Sequence, residues 1–181
     1  MRDLFLERRS IRRFTGEVVE QEKLNQILEA ARWAPSWGNQ QCCEIIAIRD
    51  AGINGQLAAL LSTKNPATKC LQGASVVLAI CGDPLKSGYY KEKQVTRYEH
   101  WFLYDLGLVS QNISLKAHEL GLGSVIVGSF NHQETEQLLN IPNHLQLVAL
   151  IPLGYPDHSP SPPKRKSLEE LIHQDTYSQK A

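Results

Sequence analysis

The chain has 181 residues, of which 42% are hydrophobic and 21% charged, and its formal net charge at pH 7 is zero. This length suits one domain, spanning residues 1–181, and the neutral balance argues against a nucleic-acid or membrane-surface protein, because both classes usually carry a basic excess. The apolar runs, such as 147–153, are far shorter than a membrane span, and the first residues include no apolar signal region. We therefore expect a cytoplasmic protein.

The first predicted helix covers residues 2–9 and leads into a dense basic cluster. Residues 8–13 contain four arginines and Ser10. Arginine side chains are rigid forks that bind phosphate oxygens two at a time, and a serine hydroxyl adds a further hydrogen bond. The cluster therefore predicts a site for a phosphate-bearing cofactor. A solvated basic face and a nucleic-acid patch remain as alternatives at this point.

The next elements alternate between helix and strand. Apolar residues at 24, 27, 28 and 31 predict a helix over residues 20–34 that Pro35 ends. Residues 35–41 form a loop rich in hydrogen-bonding side chains. A β-branched strand (44–49), a helix (50–62), an irregular stretch (62–73) and a second buried strand (75–81) follow.

The polar stretch 82–97 shows no clear period. Long loops in compact domains often cover substrates, so it is a candidate lid, with a plain surface loop as the alternative. Residues 97–120 then predict the longest helix, ended by Gly121. Because this helix is apolar on most sides, we expect it in the core or in a subunit interface.

The last third of the chain contains two more strands and a second basic cluster. The pattern predicts strands at 124–127 and 146–153, a short helix to about 139 that Asn131 and Glu134 begin, an extended stretch at 157–163, and a final helix through 172 that a Ser167–Glu170 capping box begins. Four apolar strands among helices predict an α+β fold with helices covering a sheet. A phosphate would lie between the clusters at 8–13 and 164–166 if the fold brings the termini together.

Several familiar site motifs are absent from the sequence. Cysteines 42, 43, 70 and 81 form no Cys-x-x-Cys pair, and the six histidines show no His-Glu-x-x-His spacing, so we expect free thiols and no metal site. The chain also has no Gly-x-Gly-x-x-Gly, Walker A or Gly-x-Ser-x-Gly motif. Any chemistry is therefore expected to belong to a cofactor rather than to a side-chain nucleophile.

Four segments occur in an order and spacing typical of one enzyme family. They are ERRSIRRF (7–14), AARWAPSWGNQQ (30–41), GLG to GSF (121–130), and GYP followed by KRKSLEE (154–156 and 164–170). Over nearly the whole chain they resemble the nitroreductase family of FMN-dependent oxidoreductases. One departure is that Cys42 and Cys43 stand where the family often has proline and tryptophan.

The resemblance implies a role for each segment and no catalytic side chain, because the flavin carries the chemistry. The N-terminal residues would bind the FMN phosphate and ribityl chain, the loop would line the ribityl chain and ring edge, two backbone N–H groups would lie near flavin N5, and the C-terminal cations would return to the phosphate or the pyrimidine edge. In that order, these residues are Arg8, Arg9, Ser10 and Arg12; Pro35, Ser36, Asn39 and Gln41; Gly128 and Ser129; and Lys164 and Lys166, or Arg165 in place of one of them.

The resemblance also implies a central, mostly antiparallel sheet flanked by helices, and a homodimer whose interface holds the sites and includes the helix at 97–120. The implied reaction is ping-pong hydride transfer from NAD(P)H through FMN to a nitroaromatic or quinone. Within the same fold, reductive dehalogenation, flavin breakdown or a dehydrogenation step are alternatives. A non-enzymatic protein that binds nucleic acid or another anion through residues 8–13 is a further alternative, against which the zero net charge speaks.

Overall fold

A four-stranded antiparallel sheet forms the centre of the molecule. The computed structural model describes residues 3–62 and 64–177. The helices are α1 (Leu4–Glu7), α2 (Gln21–Arg32), α3 (Ala51–Ala59), α4 (Thr68–Gly73), α5 (Phe102–Glu119), α6 (His132–Leu138) and α7 (Leu168–Leu171). The strands are β1 (Cys43–Ile48), β2 (Val76–Gly82), β3 (Tyr89–Tyr90), β4 (Lys93–Gln94), β5 (Gly123–Ser124) and β6 (Gln146–Gly154).

The sheet order is β1-β2-β6-β5, and all three pairings are antiparallel. Every residue of β2 is buried, because helices cover both faces of the sheet. Leu78 and Ile80 pack with α2 and α5, whereas Val77 and Ala79 pack with α3 and α4 on the opposite face. Because both faces of β2 are buried, its sequence is a continuous apolar run. A sheet with helices on both faces confirms the expected α+β architecture.

Helices α2 and α5 form one layer and pack on each other. On α2 the buried positions are Leu24, Ile27 and Ala31, spaced at three and four residues as expected for one helical face. The Asn112 amide on α5 donates a 2.9 Å hydrogen bond to the Ala30 carbonyl at the end of α2. Together these contacts fix the position of α5, which reaches both halves of the candidate site described below.

Helix α4 is the main element that the sequence pattern missed. Residues 62–73 were expected to be irregular, and this expectation is wrong for Thr68–Gly73. The Asn65 side chain accepts a 2.9 Å hydrogen bond from the Ala67 N–H, so it shapes the turn that leads into the helix. With only six residues, of which Cys70 and Leu71 are buried, α4 is too short to show a helical period.

Other boundaries differ from their predictions. Helix α5 begins at Phe102, so residues 97–101 belong to the preceding segment, and that segment contains the β3–β4 hairpin. The strand predicted at 124–127 ends at Ser124, and only an isolated bridge to Leu150 continues it at Val127. The first helix is limited to Leu4–Glu7, and residue 2 lies outside the described residues.

The predicted helix ends are mostly confirmed. Gly121 follows α5 with a φ of +79°, the left-handed conformation that favours glycine. Ser167 and Glu170 form the expected capping box, and the Asn131 side chain accepts from the Glu134 N–H at the start of α6. Among the residues described, no helix has the length and apolar character needed to cross a bilayer.

Candidate functional site

The N-terminal arginine segment adds to the edge of the sheet beside β5. The Ile11 N–H donates a 2.9 Å hydrogen bond to the Ser124 carbonyl, and Ser10 forms a parallel bridge with Ser124. Gly123 makes this approach possible, because a Cβ at that position would lie only 2.7 Å from the Ile11 side chain. The basic cluster is therefore held by the backbone of a rigid element.

The same segment also pairs with the chain that leads to the second basic cluster. Phe14 bridges Pro156, the Thr15 N–H donates to the Tyr155 carbonyl at 3.0 Å, and the Asp157 N–H donates to the Arg13 carbonyl at 3.0 Å. These bonds direct the extended stretch after residue 157 along the arginine segment. The two basic clusters, separated by about 150 residues of sequence, thereby meet in space.

The charges of the two basic clusters act on each other. Partial burial lowers the pKa of the Arg8 guanidinium, and the positive charges of Arg9 and Arg165 lower it further. Within residues 3–62 and 64–177, the arginines at 8, 9, 12 and 165 and the lysines at 164 and 166 form no ion pair with a carboxylate. Uncompensated like charges repel, so this arrangement suits an anionic ligand that binds between them.

Arg9 has contacts that differ from those of its neighbours. Its Nη1 donates to the Leu6 and Arg8 carbonyls at 2.5 and 2.8 Å, at the end of α1. Its buried Nε has no hydrogen-bond partner, and the side chain lines a cavity of about 150 Å³ together with His118 and His158. The Arg9 side chain is therefore partly held by backbone carbonyls at the end of α1. Among the described residues, the side chain of Arg8, half-buried beside Arg165, donates no hydrogen bond to a backbone carbonyl.

Helix α4 connects the arginine segment with Gly128 and Ser129. The Cys70 thiol lies 3.8 Å from the Ile11 carbonyl, and the charge of Arg12 acts on the same thiol. In the turn that leads into α4, the Asn65 side chain donates a 2.9 Å hydrogen bond to the Ser129 carbonyl. Asn65 and Cys70 are five residues apart, which limits their separation to about 18 Å, so these two groups of residues belong to one region. Asn65 was not identified from the sequence.

The peptide groups at 128 and 129 are arranged to receive a ligand. The Gly128 carbonyl contacts His132 Nε2 at 3.3 Å, and the Ser129 carbonyl accepts from Asn65. In the part of the chain that the structure describes, neither the Gly128 nor the Ser129 N–H has an acceptor, and both residues are exposed. The Ser129 N–H shares its peptide plane with the Gly128 carbonyl, and the Gly128 N–H shares its plane with the Val127 carbonyl, which accepts a 2.9 Å hydrogen bond from the Leu150 N–H. Both available donors are therefore held in place.

The loop that contains Pro35, Ser36, Asn39 and Gln41 has an unusual backbone. Gly38, Asn39 and Gln41 all have positive φ angles, at 54°, 54° and 50°. The left-handed conformation costs a non-glycine residue about 1–2 kcal/mol. The Ser36 hydroxyl accepts a 2.9 Å hydrogen bond from the Gln41 N–H, which closes the loop, and the Asn39 and Gln41 side chains are exposed. Such strain persists only where neighbours hold the loop, and it is typical of binding sites.

The main support of this loop is Asp105, which was not identified from the sequence. Its carboxylate, only 2% exposed, accepts the Trp37 N–H at 3.2 and 3.1 Å and the Ser87 hydroxyl at 2.6 Å. Asp105 lines a cleft of about 290 Å³ together with Ser36, Gln41 and the apolar side chains of α2, β1 and α5. A lone acid in the apolar stretch 102–109 was the sequence signal that could have identified it.

The cysteines are poorly suited to redox or nucleophilic chemistry. All four are free. Burial raises the pKa of the Cys42 thiol to about 11, with Asp105 adding to the shift, and raises that of Cys43 to about 12. Burial likewise raises the pKa values of Cys70 and Cys81 to about 12. The thiolate is the reactive form, so these side chains are inert near neutral pH.

The predicted site residues fall into two groups at opposite ends of α5. The loop 35–41 is anchored at Asp105, near the start of α5, whereas Glu7 and Arg9 lie near His118 at its end. At 1.5 Å per residue, Asp105 and His118 are about 20 Å apart along the helix. One chain therefore brings the arginines, Gly128, Ser129 and the C-terminal cations into one region and holds the loop elsewhere.

Comparison with known proteins gives this arrangement its context. The Nitroreductase family model matches residues 6–69 and 54–155. The chain belongs to the nitroreductase family. An Archaeoglobus fulgidus protein, provisionally named NADH dehydrogenase/NAD(P)H nitroreductase, is 33% identical over 153 residues, covering 82% of this chain and 81% of its own.

Two further nitroreductase-family relatives have more specific names. The Bacillus subtilis FMN reductase [NAD(P)H] is 29% identical over 180 residues, covering 93% of this chain and 71% of its own. The solved structure of the Vibrio harveyi NADPH:FMN oxidoreductase in complex with NAD+ superposes with a TM-score of 0.82 at 25% identity, covering 98% of this chain and 77% of that chain. The family assignment and the fold expected from the sequence are both confirmed.

Proposed function

We propose that the protein is an FMN-dependent NAD(P)H oxidoreductase that reduces small acceptors such as nitroaromatics or quinones in ping-pong order. The observation that carries the proposal is the cluster of unpaired cations that both termini form around Arg8 and Arg165. Family membership and the names of the B. subtilis and V. harveyi relatives support the choice of flavin and nicotinamide.

The cation cluster fits the phosphate end of FMN. A phosphate monoester carries about −1.5 to −2 charges at pH 7. It would offset the positive charges of Arg9 and Arg165, which add to burial in lowering the pKa of Arg8. In this proposal Arg8, Ser10 and Arg12 bind the phosphate and the adjoining chain, and Arg9 contributes through its unpartnered Nε. The exposed cations at 164–166 complete the site from the C-terminal side.

The available N–H groups of Gly128 and Ser129 would bind the ring end, where they would orient the reactive edge of the flavin. Bound flavin would supply the redox chemistry, by accepting hydride from NAD(P)H at N5 and passing electrons to the acceptor. The chain itself would position the two substrates and keep the ring fixed through Asn65, which holds the Ser129 carbonyl. No protein side chain is assigned as a proton donor or nucleophile.

The loop 35–41 and the arginine cluster lie near opposite ends of α5, and this separation supports a homodimer with shared sites. In a two-fold arrangement with antiparallel α5 helices, each loop 35–41 would reach the arginine cluster of the partner. Large exposed apolar side chains are available for such an interface on α1, on the first turn of α5 and on α7. They are Phe5, Leu6, Leu103, Tyr104, Leu168 and Leu171, each 44–75% exposed.

The absorption spectrum of the purified protein tests the proposal. We expect a yellow protein with flavin absorbance, or stoichiometric uptake of added FMN, followed by bleaching on anaerobic titration with NADH or NADPH. The preferred nucleotide is the one that bleaches at lower concentration. A colourless protein that takes up no FMN would refute the proposal, and a salt-dependent shift with DNA or RNA would then favour the anion-binding alternative.

The choice of acceptor needs a separate assay. Turnover of the NAD(P)H-reduced protein should be compared on a nitroaromatic, a quinone and a halogenated phenol under identical conditions. Faster turnover on the first two supports the proposed acceptor class. Release of halide as the dominant reaction would instead identify the enzyme as a reductive dehalogenase of the same fold.

A further inference from the structure

One buried carboxylate contacts both the loop 35–41 and the 82–97 segment. Asp105 Oδ2 accepts the Ser87 hydroxyl at 2.6 Å, and Ser87 is 0% exposed on the 82–97 segment. The two carboxylate oxygens also accept the Trp37 N–H of the loop 35–41 at 3.2 and 3.1 Å, and the Cys42 thiol lies 3.7 Å from Oδ2. Asp105 therefore binds donors from both segments at once.

The sheet explains why these segments meet at Asp105. Cys43, at the start of β1, pairs with Gly82, at the end of β2, so the loop before β1 and the segment after β2 leave the sheet at the same point. The Asp83 N–H donates a 3.0 Å hydrogen bond to the Cys42 carbonyl and keeps them together. Helix α5 then presents Asp105 to both.

The arrangement links the conformations of the two segments. A buried carboxylate that loses a donor is left under-solvated, which is costly, so withdrawal of Ser87 favours entry of water and release of Trp37. The loop 35–41 is sensitive to such a release, because Gln41 has a left-handed backbone, with a φ of 50°, that needs external support. Opening of one segment should therefore promote opening of the other.

We propose that Asp105 is a positioning residue that couples the 82–97 segment, through Ser87, to the loop 35–41. The coupling rests on the hydrogen bonds alone, whereas its consequence for the enzyme rests on the proposed function of the loop. A substrate that displaces residues 82–97 changes the support of the cofactor-binding loop. The segment thereby acts on the cofactor without contacting it.

Hydrogen–deuterium exchange of the purified 181-residue protein tests the coupling. In Ser87→Ala, exchange in peptides covering 36–42 should rise about tenfold, because a buried charge-assisted hydrogen bond no longer restrains local opening. In Asp105→Asn, exchange should rise in 36–42 and in 83–88 alike. Ser87→Ala keeps the test valid if the Asp105 variant does not fold.

Ser114→Ala is the matched control. Ser114 is also a buried serine, 3% exposed, and its hydroxyl donates a 2.8 Å hydrogen bond to the Ser110 carbonyl within α5. Its loss removes a neutral hydrogen bond about 13 Å along α5 from Asp105. Peptides covering 36–42 should exchange at the wild-type rate in this variant. Wild-type exchange in Ser87→Ala, or equal acceleration in both serine variants, would overturn the coupling.

The dissociation constant of FMN provides a second readout. It should rise several-fold in Ser87→Ala and stay unchanged in Ser114→Ala, although Ser87 lies outside every segment assigned to the cofactor. If the protein binds no FMN, the proposed function fails, while the exchange experiment still decides whether the two segments are coupled. If exchange accelerates but the dissociation constant of FMN is unchanged, the two segments are coupled, and the proposed effect of this coupling on cofactor binding is refuted.

Discussion

Arg165 lies close enough to Arg8 for its positive charge to add to burial in lowering the pKa of the Arg8 guanidinium. The chain between them folds into nearly the whole sheet before it returns, and the backbone bonds of residues 11–15 with 124 and 155–157 bring the two ends together. The mutual repulsion of these cations must be offset by solvent or by a bound anion. This relationship leads to the first prediction.

Replacing Arg8 or Arg12 by alanine should weaken FMN binding by about ten- to a hundredfold, because each removes a charged hydrogen-bond donor worth about 1.5–3 kcal/mol. Fluorescence titration of FMN at low and high salt measures the loss. Arg13→Ala is the matched control, since Arg13 carries the same charge in the same segment and is not assigned to the site. Equal losses in all three variants would show that net charge alone, and not a defined phosphate site, attracts the cofactor.

The shared-site dimer predicts complementation between two defective variants. Arg12→Ala disables the phosphate region, and Asn39→Ala disables the loop that the partner would supply. After subunit exchange, a mixture of the two should recover up to about a quarter of wild-type activity, because half of the dimers are mixed and each has one intact site. If both groups of residues serve the same chain's site, mixing restores nothing.

The close approach at Gly123 predicts a destabilising substitution at a residue that is not itself assigned to the cofactor. In Gly123→Ala the new Cβ would lie 2.7 Å from the Ile11 side chain, which should cost about 1–3 kcal/mol and displace the arginine segment. Urea denaturation measures the free energy of unfolding, and FMN affinity should fall in parallel. Gly55→Ala on α3 has open space around its Cβ and should instead stabilise the protein by about 0.4–1 kcal/mol. A neutral Gly123→Ala would contradict the packing described here.

The raised thiol pKa values predict slow alkylation. At pH 8 a thiol with a pKa of about 11 is ionised in only about one molecule in a thousand, so Cys42 and Cys43 should react with iodoacetamide far more slowly than free cysteine. Mass spectrometry of the native protein measures the rate, and unfolding in urea should restore ordinary reactivity. Rapid labelling of either native thiol would reopen the question of a redox role.

Much of the fold could be predicted from local pattern. The apolar period of 20–34, the apolar runs of β1, β2 and β6, and the Ser167–Glu170 capping box are features of neighbouring residues. They appear in the structure close to their expected positions. Helix α4 was missed because six residues with two buried side chains carry too little periodicity. The continuous apolar sequence of β2 indicated that both faces of the strand are buried. It did not indicate whether the neighbouring strands run parallel or antiparallel to it.

The residue types of the candidate site could be predicted from the sequence, but not which of these residues lie close together. The residue types at 8–12, 35–41 and 164–166 indicated an anionic cofactor, since charge and hydrogen-bonding capacity are properties of the side chains themselves. Which residues meet depends on contacts between distant parts of the chain. Asp105, Ser87 and Asn65 had no motif to mark them, because their importance comes from the segments that the fold places beside them.

The sequence by itself indicated most of the helices and strands and the cations that we propose to bind a phosphate, because both depend on short-range pattern and on side-chain chemistry. Only the tertiary structure decided that the two basic clusters meet, that the loop 35–41 lies about 20 Å away along α5, and that one buried carboxylate holds this loop together with the 82–97 segment. These relationships arise from packing, which joins residues that are remote in sequence.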